Sequence, residues 1–221
     1  MQVHRSETMN RFGQMPNPFL RVVQNRSRNW IDRSRALRRP FPKGGRCVIM
    51  YHGIDLEEST RYNRRFFSQD SFREHVRYFK KYSNVVPLEQ LIHGQDLDIG
   101  RLNMAITFDD GYRNNRKYAL PVLEAEQVPA TFFITGLNQV GCDIIWADLL
   151  DICGADTAMD ELWLDGHMFA CGPDRKFKEL RSTFRNGHFL GTAVFEELRC
   201  AILQQGKVDL DDPKIIDYYQ L

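Results

Sequence analysis

No apolar run in this chain approaches the roughly 18 residues that a membrane-crossing helix needs. The N-terminus is rich in arginine and has no central apolar stretch, so no secretory signal peptide is expected. Cysteine is sparse. Cys47, Cys142, Cys153, Cys171 and Cys200 are odd in number, widely spaced and without a CxxC pair. That pattern excludes a zinc ribbon and a paired disulfide framework, and it predicts reduced thiols in a cytoplasmic protein. No Gly-rich phosphate loop is present, which argues against nucleotide chemistry. The six histidines are His4, His52, His75, His93, His167 and His188, and no two are near neighbours in sequence. A metal site built on a local histidine pair is therefore not legible here.

What is present is an ordinary globular composition. Of 221 residues, 43% are hydrophobic and 27% charged, enough for one domain of moderate size with its own core. The near-zero net charge hides an asymmetry. Residues 1–46 carry eleven Lys and Arg against two acids, and the remainder carries 19 against 27. A basic arm thus precedes a mildly acidic body. Phe19, Val23, Trp30 and Leu37 recur at spacings that suit one helical face, with arginines between them. Such a segment can lie on an anionic membrane surface, which would make the protein cytoplasmic and membrane-peripheral. It can also be a transit-type or loosely docked arm. Nucleic acid is not an expected partner, because the body is acidic and aromatic residues do not interleave with the basic ones beyond Trp30.

Pro40, Pro42, Gly44 and Gly45 punctuate the chain before the body begins. "CVIMYHGI" (47–54), "NVVPL" (84–88), "LNMAITF" (102–108) and "PATFFITG" (129–136) read as short buried strands. Between them, "QDSFREHVRYFKKY" (69–82) and "NRKYALPVLEAEQ" (115–127) read as helices, the first capped by Asp70 or Ser71 and the second bent by, or starting near, Pro121. Strands alternating with helices predict an α/β fold with a largely parallel sheet. Beyond residue 140 the pattern changes. Helices are expected over 144–155, 174–186 and 192–206, with a hairpin over 160–172 that turns at Asp165-Gly166.

"MAITFDDGYRNN" (104–115) holds the candidate chemistry. Functional groups gather at the carboxyl ends of parallel strands, and Asp109 and Asp110 stand at such an end. A turn needs only one Asp and one Gly. Two adjacent carboxylates repel, and a divalent cation relieves that repulsion by taking one as ligand while the other acts as a base on water. His52 follows a strand and can face the same cavity, to touch substrate or metal; a histidine bonded to backbone is the competing reading. Tyr112 can shape the pocket or pack beneath it. Asn114 and Asn115 read as helix caps.

"ITFDDGY", followed about twenty residues later by "VPATFFITG" and preceded by "VIMYHGI", resembles the polysaccharide deacetylase family (the NodB-homology domain). The resemblance covers roughly residues 47–139. It implies a distorted (β/α) barrel and metal-dependent removal of an acetyl group from an N-acetylated sugar or polysaccharide. By position, Asp109 matches the family's catalytic base and Asp110 its aspartate metal ligand, with zinc the expected ion. The family's local histidine pair and its later motifs have no counterpart in this chain. The resemblance then implies a division into a basic arm (1–46), the N-terminal part of the barrel (47–140), a mostly helical excursion (141–212) and the start of a further element (213–221). An incomplete deacetylase, inactive as given, is the leading expectation. A non-catalytic glycan-binding or partner-binding remnant of the same fold is the alternative.

Overall fold

The computed structural model describes residues 20–24, 41–56, 65–155, 159–187, 192–205 and 209–210. Strands β1 (Leu20–Gln24) and β2 (Arg46–Tyr51) open a parallel sheet. β3 (Ile54–Asp55) and β4 (Phe67–Ser68) form a separate short parallel pair. β5 (Ser83–Val85), β6 (Leu102–Phe108) and β7 (Thr131–Phe132) complete the sheet, in the order β1-β2-β6-β5, with β7 pairing β6 beyond the end of β5. Among the described residues this is an open α/β sheet, not a closed barrel.

Strand β6 is buried along its whole length, as a central parallel strand covered on both faces must be. Met104, Ile106 and Phe108 share one core with α1 (Gln69–Tyr82), which contributes Phe72, Val76 and Phe79. Burying each such side chain stabilises by about 1.5–3 kcal/mol. Ala105 packs on the other side with Val86 and Leu91, the latter in α2 (Leu88–His93). The ring of Tyr51 lies 5.0 Å from Phe72 and 5.5 Å from Phe108, and its hydroxyl bonds His75 Nδ1 at 2.9 Å. His75 is thus a buried packing residue.

Several local expectations change. Residues 20–24 are a strand, so Val23 does not belong to a helical face; the rest of the proposed amphipathic segment lies outside the described residues. The cap of α1 is Ser68, whose hydroxyl accepts from Ser71 N–H at 3.1 Å. The extended run at 129–136 is a strand only at Thr131–Phe132. Pro129 can donate nothing to a ladder, and 133–136 are exposed. The 115–127 helix begins as a π-turn (Asn115–Ala119) and becomes regular in α3 (Leu120–Glu126), with Pro121 in its first turn. Proline is tolerated there because first-turn N–H groups have no partner in the helix.

The later region builds a second core. It holds α4 (Trp146–Ala155), the hairpin β8 (Glu161–Leu164) and β9 (His167–Ala170), α5 (Lys178–Arg185) and α6 (Thr192–Gln204). Asp165 and Gly166 both have positive φ, as a two-residue primed turn requires. Leu149, Leu150, Ile152, Leu162, Phe177 and Leu198 fill this core, and Phe66 and Tyr112 join it from the sheet side. The excursion is therefore anchored directly beside the strand that ends in Asp109. Residues 211–221, including the expected next element, lie outside the described residues.

Candidate active site

The ladder runs one residue past β6, because Asp109 N–H donates to the Tyr51 carbonyl at 2.9 Å. The chain then reverses. Asp110 and Gly111 have φ of 73° and 75°, two consecutive left-handed residues. An aspartate there costs about 1 kcal/mol, and such strain clusters at functional sites. A side chain on Gly111 would meet the Ile134 backbone at 3.2 Å, so the turn and the approach of the β7 segment both require glycine. Burial, and next the Asp110 charge, raise the Asp109 carboxyl above the ordinary range. The two acids therefore feel each other at one strand end.

His52 stands at the end of the neighbouring β2. Its Nε2 lies 3.8 Å from Asp110 Oδ2. Burial and then Arg65 lower its pKa, against the opposing pull of Asp110. Asn115 holds this turn: its amide donates to the His52 carbonyl at 2.6 Å and its oxygen accepts from Ile54 N–H at 3.1 Å. The side chain of Asn115 is therefore a clamp on the β2 exit and not a helix cap. Asn114 makes no capping bond either.

Arg65, which local pattern does not single out, completes the cluster. Its Nη1 lies 3.6 Å from Asp110 Oδ2. Its Nη2 donates to Asp148 Oδ1 at 2.7 Å and lies 3.2 Å from the Tyr112 hydroxyl, which in turn donates to Asp148 Oδ2. Tyr112 is only 2% exposed, so its ring belongs to the excursion core while its hydroxyl serves Asp148. Asp148, in α4, is fully buried. Burial pushes its carboxyl up to about 6, against the opposing effects of Arg65 and the Tyr112 hydrogen bond. A native pKa above the unfolded one adds stability that is complete at low pH and is lost as pH rises through the native value. From an ordinary 3.8 to about 6 the loss amounts to about 3 kcal/mol. Urea unfolding between about pH 4 and 7 should show the wild type losing that much relative to Asp148→Asn; parallel pH profiles for the two would contradict it.

No group of three or more His, Cys, Asp or Glu able to hold a metal occurs among the described residues. Asp110 and His52 offer two donors, with a guanidinium beside them. Closed zinc sites take three or four N, O or S ligands, so these residues alone do not fit the ion. His93 ends α2, whose Leu91 and Ile92 carbonyls accept from Arg46 at the start of β2, and His167 opens β9 of the hairpin. His4 and His188 lie outside the described residues. Trp146 stacks on Phe184 at 4.9 Å, whereas Trp163 is half exposed with its indole N–H on Glu161. The five cysteines are free thiols.

Residues 100–189 match the family model described as polysaccharide deacetylase. The interval includes Asp109, Asp110, Tyr112 and Asp148. Over 92 residues the chain is 33% identical to YxkH of Bacillus subtilis (strain 168), which carries a polysaccharide deacetylase name; the match covers 40% of this chain and 31% of the relative. Among solved structures, IcaB from Ammonifex degensii is 27% identical over 41% of this chain and 38% of its own, with a TM-score of 0.35. The Streptococcus pyogenes deacetylase PplD, solved with acetate, is 20% identical over 47% of each chain, with a TM-score of 0.36. The chain thus spans about a third of the curated relative that it matches. No helix among the described residues is long and apolar enough to cross a membrane.

Proposed function

From a polysaccharide deacetylase segment at residues 100–189, we propose that this chain carries the acid pair of a carbohydrate N-deacetylase, a hydrolase of non-peptide C–N bonds. The observation that carries this reading is the strand exit, where Asp109 and Asp110 directly follow β6 and Asp110 and Gly111 make a left-handed turn. Asp109 is the base. Its raised carboxyl takes a proton from the water that attacks the acetamide carbonyl. Asp110 is the carboxylate that would hold a divalent cation, with zinc the expected ion. Further ligands would come from residues beyond those described, and the sheet would be part of a distorted barrel. The substrate class is an N-acetylated sugar or polysaccharide. Contact of the basic arm with an anionic membrane remains part of this proposal.

The test is release of acetate, with a matching gain of free amine, from N-acetylated oligosaccharides supplied with zinc. The chain alone is expected to give at most trace turnover. A longer polypeptide carrying this segment is expected to turn over. No acetate release in that longer context, with oligosaccharide still bound, would favour the second reading, a non-catalytic glycan-binding domain. The two-donor set at Asp110 is the observation on its side.

A further inference from the structure

The excursion carries an apolar face that its core does not use. In the hairpin, Leu162 pairs with Phe169, and both turn into the core that also holds Tyr112. Neighbours along a strand point to opposite faces, so Glu161 and Trp163 of β8 and Met168 and Ala170 of β9 share the outward one. Trp163 stands directly across from Met168. The two are 52% and 47% exposed, although large apolar side chains are normally scattered singly over a surface. The indole has a fixed orientation, because its N–H donates to Glu161 Oε1 at 3.2 Å. The hairpin beneath is braced, since Asp165 N–H donates to Glu197 of α6 at 3.2 Å. Charge on this strip has one sign. Residues 160–170 include three acids and no lysine or arginine. Asp160 is engaged by Arg175, which leaves Glu161 as the carboxylate beside the ring and Asp165 as the one at the turn.

We propose that this outward face of the hairpin is a sugar-binding platform, and that it takes a sugar bearing a free amine, the chemical class that a deacetylase releases. The choice of a carbohydrate rests on the deacetylase reading above; the choice of an amine rests on the charge. A tryptophan ring offers roughly 200 Å², of which about half is exposed here. A stable protein interface needs about 800 Å² from each partner, more than one ring and one thioether supply. One sugar ring matches the face in size. Its C–H face lies on the indole, and its ammonium is drawn to the negative face of the ring and to the Glu161 carboxylate. A carboxylate accepts at several positions, so the bond from the indole does not exhaust Glu161. An N-acetylated unit keeps the stacking and loses both attractions for positive charge. A deacetylated stretch of polymer is thereby retained on the excursion, on the opposite side of the hairpin from the core that anchors Tyr112.

Calorimetry on this chain, at low ionic strength and about pH 6, where an amine is an ammonium, compares a glucosamine hexamer with the fully N-acetylated hexamer. The wild type is expected to bind the amine form roughly fivefold tighter than the acetylated one. Trp163→Ala should weaken binding of the amine form by roughly fivefold or more. Glu161→Gln should weaken it by roughly threefold, an effect that fades as salt is raised. Both side chains are exposed, and circular dichroism confirms that each variant is folded. No binding of the amine hexamer by the wild type overturns the proposal, as does equal or tighter binding of the acetylated one. Binding indifferent to Trp163→Ala in the folded protein also overturns it, and assigns the affinity to the acidic body at large. The deacetylase reading is judged separately, by acetate release from the longer polypeptide, so either can fall without the other.

Discussion

Replacing Asp109 by Asn is expected to cut acetate release by a longer polypeptide carrying this segment by about 10²–10⁴-fold while leaving the fold at least as stable. The first half follows from the role of the side chain. Asn keeps the shape of Asp but cannot take a proton from water. The second half follows from the electrostatics. Burial and the Asp110 charge both act against the ionised form of Asp109, so at neutral pH the wild type holds an acid its surroundings disfavour. Removing the charge relieves the repulsion and leaves the backbone bond from Asp109 N–H to Tyr51 untouched. Activity and stability should therefore move apart, as they do where a site is kept strained for function. Acetate assays paired with urea midpoints check both halves. Unchanged turnover would remove Asp109 from the role of base; a large fall in midpoint would mark it as structural.

The legible parts of this protein were those that depend on local chemistry. The buried run 102–108 could be nothing but a central strand, and the acid pair at its end follows from where parallel strands place their functional groups. The helix at 69–82 followed from its apolar spacing, and the hairpin turn followed from Asp165-Gly166. What escaped were features made by distant residues. Arg65 sits in a run of charged and aromatic residues and looks like any surface arginine; only the approach of α4, 83 residues later, gives it Asp148. Asp148 did leave a trace. It stands among Ile144, Ile145, Leu149 and Ile152 on a helix, and an acid on an apolar stripe is almost never buried unpaired. Asn115 reads as a cap because asparagine before a helix usually is one. Its real partners, the His52 carbonyl and the Ile54 N–H, lie where β2 passes into β3. The 129–136 run misled because an apolar, β-branched stretch reads as a strand even where its backbone has a neighbour along only two residues.

Gly154→Ala is the substitution expected to do most damage to the excursion, against what helix propensity suggests. Gly154 lies within α4, and in an exposed helix interior alanine would stabilise by about 1 kcal/mol. Here an added Cβ would meet the Arg175 carbonyl oxygen at 2.0 Å. That atom is backbone, so no rotamer change moves it. The same Arg175 donates from Nε to the Gly154 carbonyl at 2.9 Å, from Nη2 to the Met159 carbonyl at 3.0 Å and from Nη1 to Asp160 at 2.8 Å. Shifting its chain to admit a methyl group strains all three bonds, and it displaces the neighbouring Phe177, which is fully buried. Overpacking costs typically 1–3 kcal/mol, with the upper end expected where backbone must yield, so a net loss of about 2 kcal/mol remains after the propensity gain of about 1 kcal/mol. Near-ultraviolet circular dichroism during urea unfolding reports it, since Trp146 and Trp163 both lie in this region. A midpoint equal to or above wild type would show that α4 and the Arg175 turn do not pack as described. The consequence reaches the acid pair, because α4 also carries Asp148.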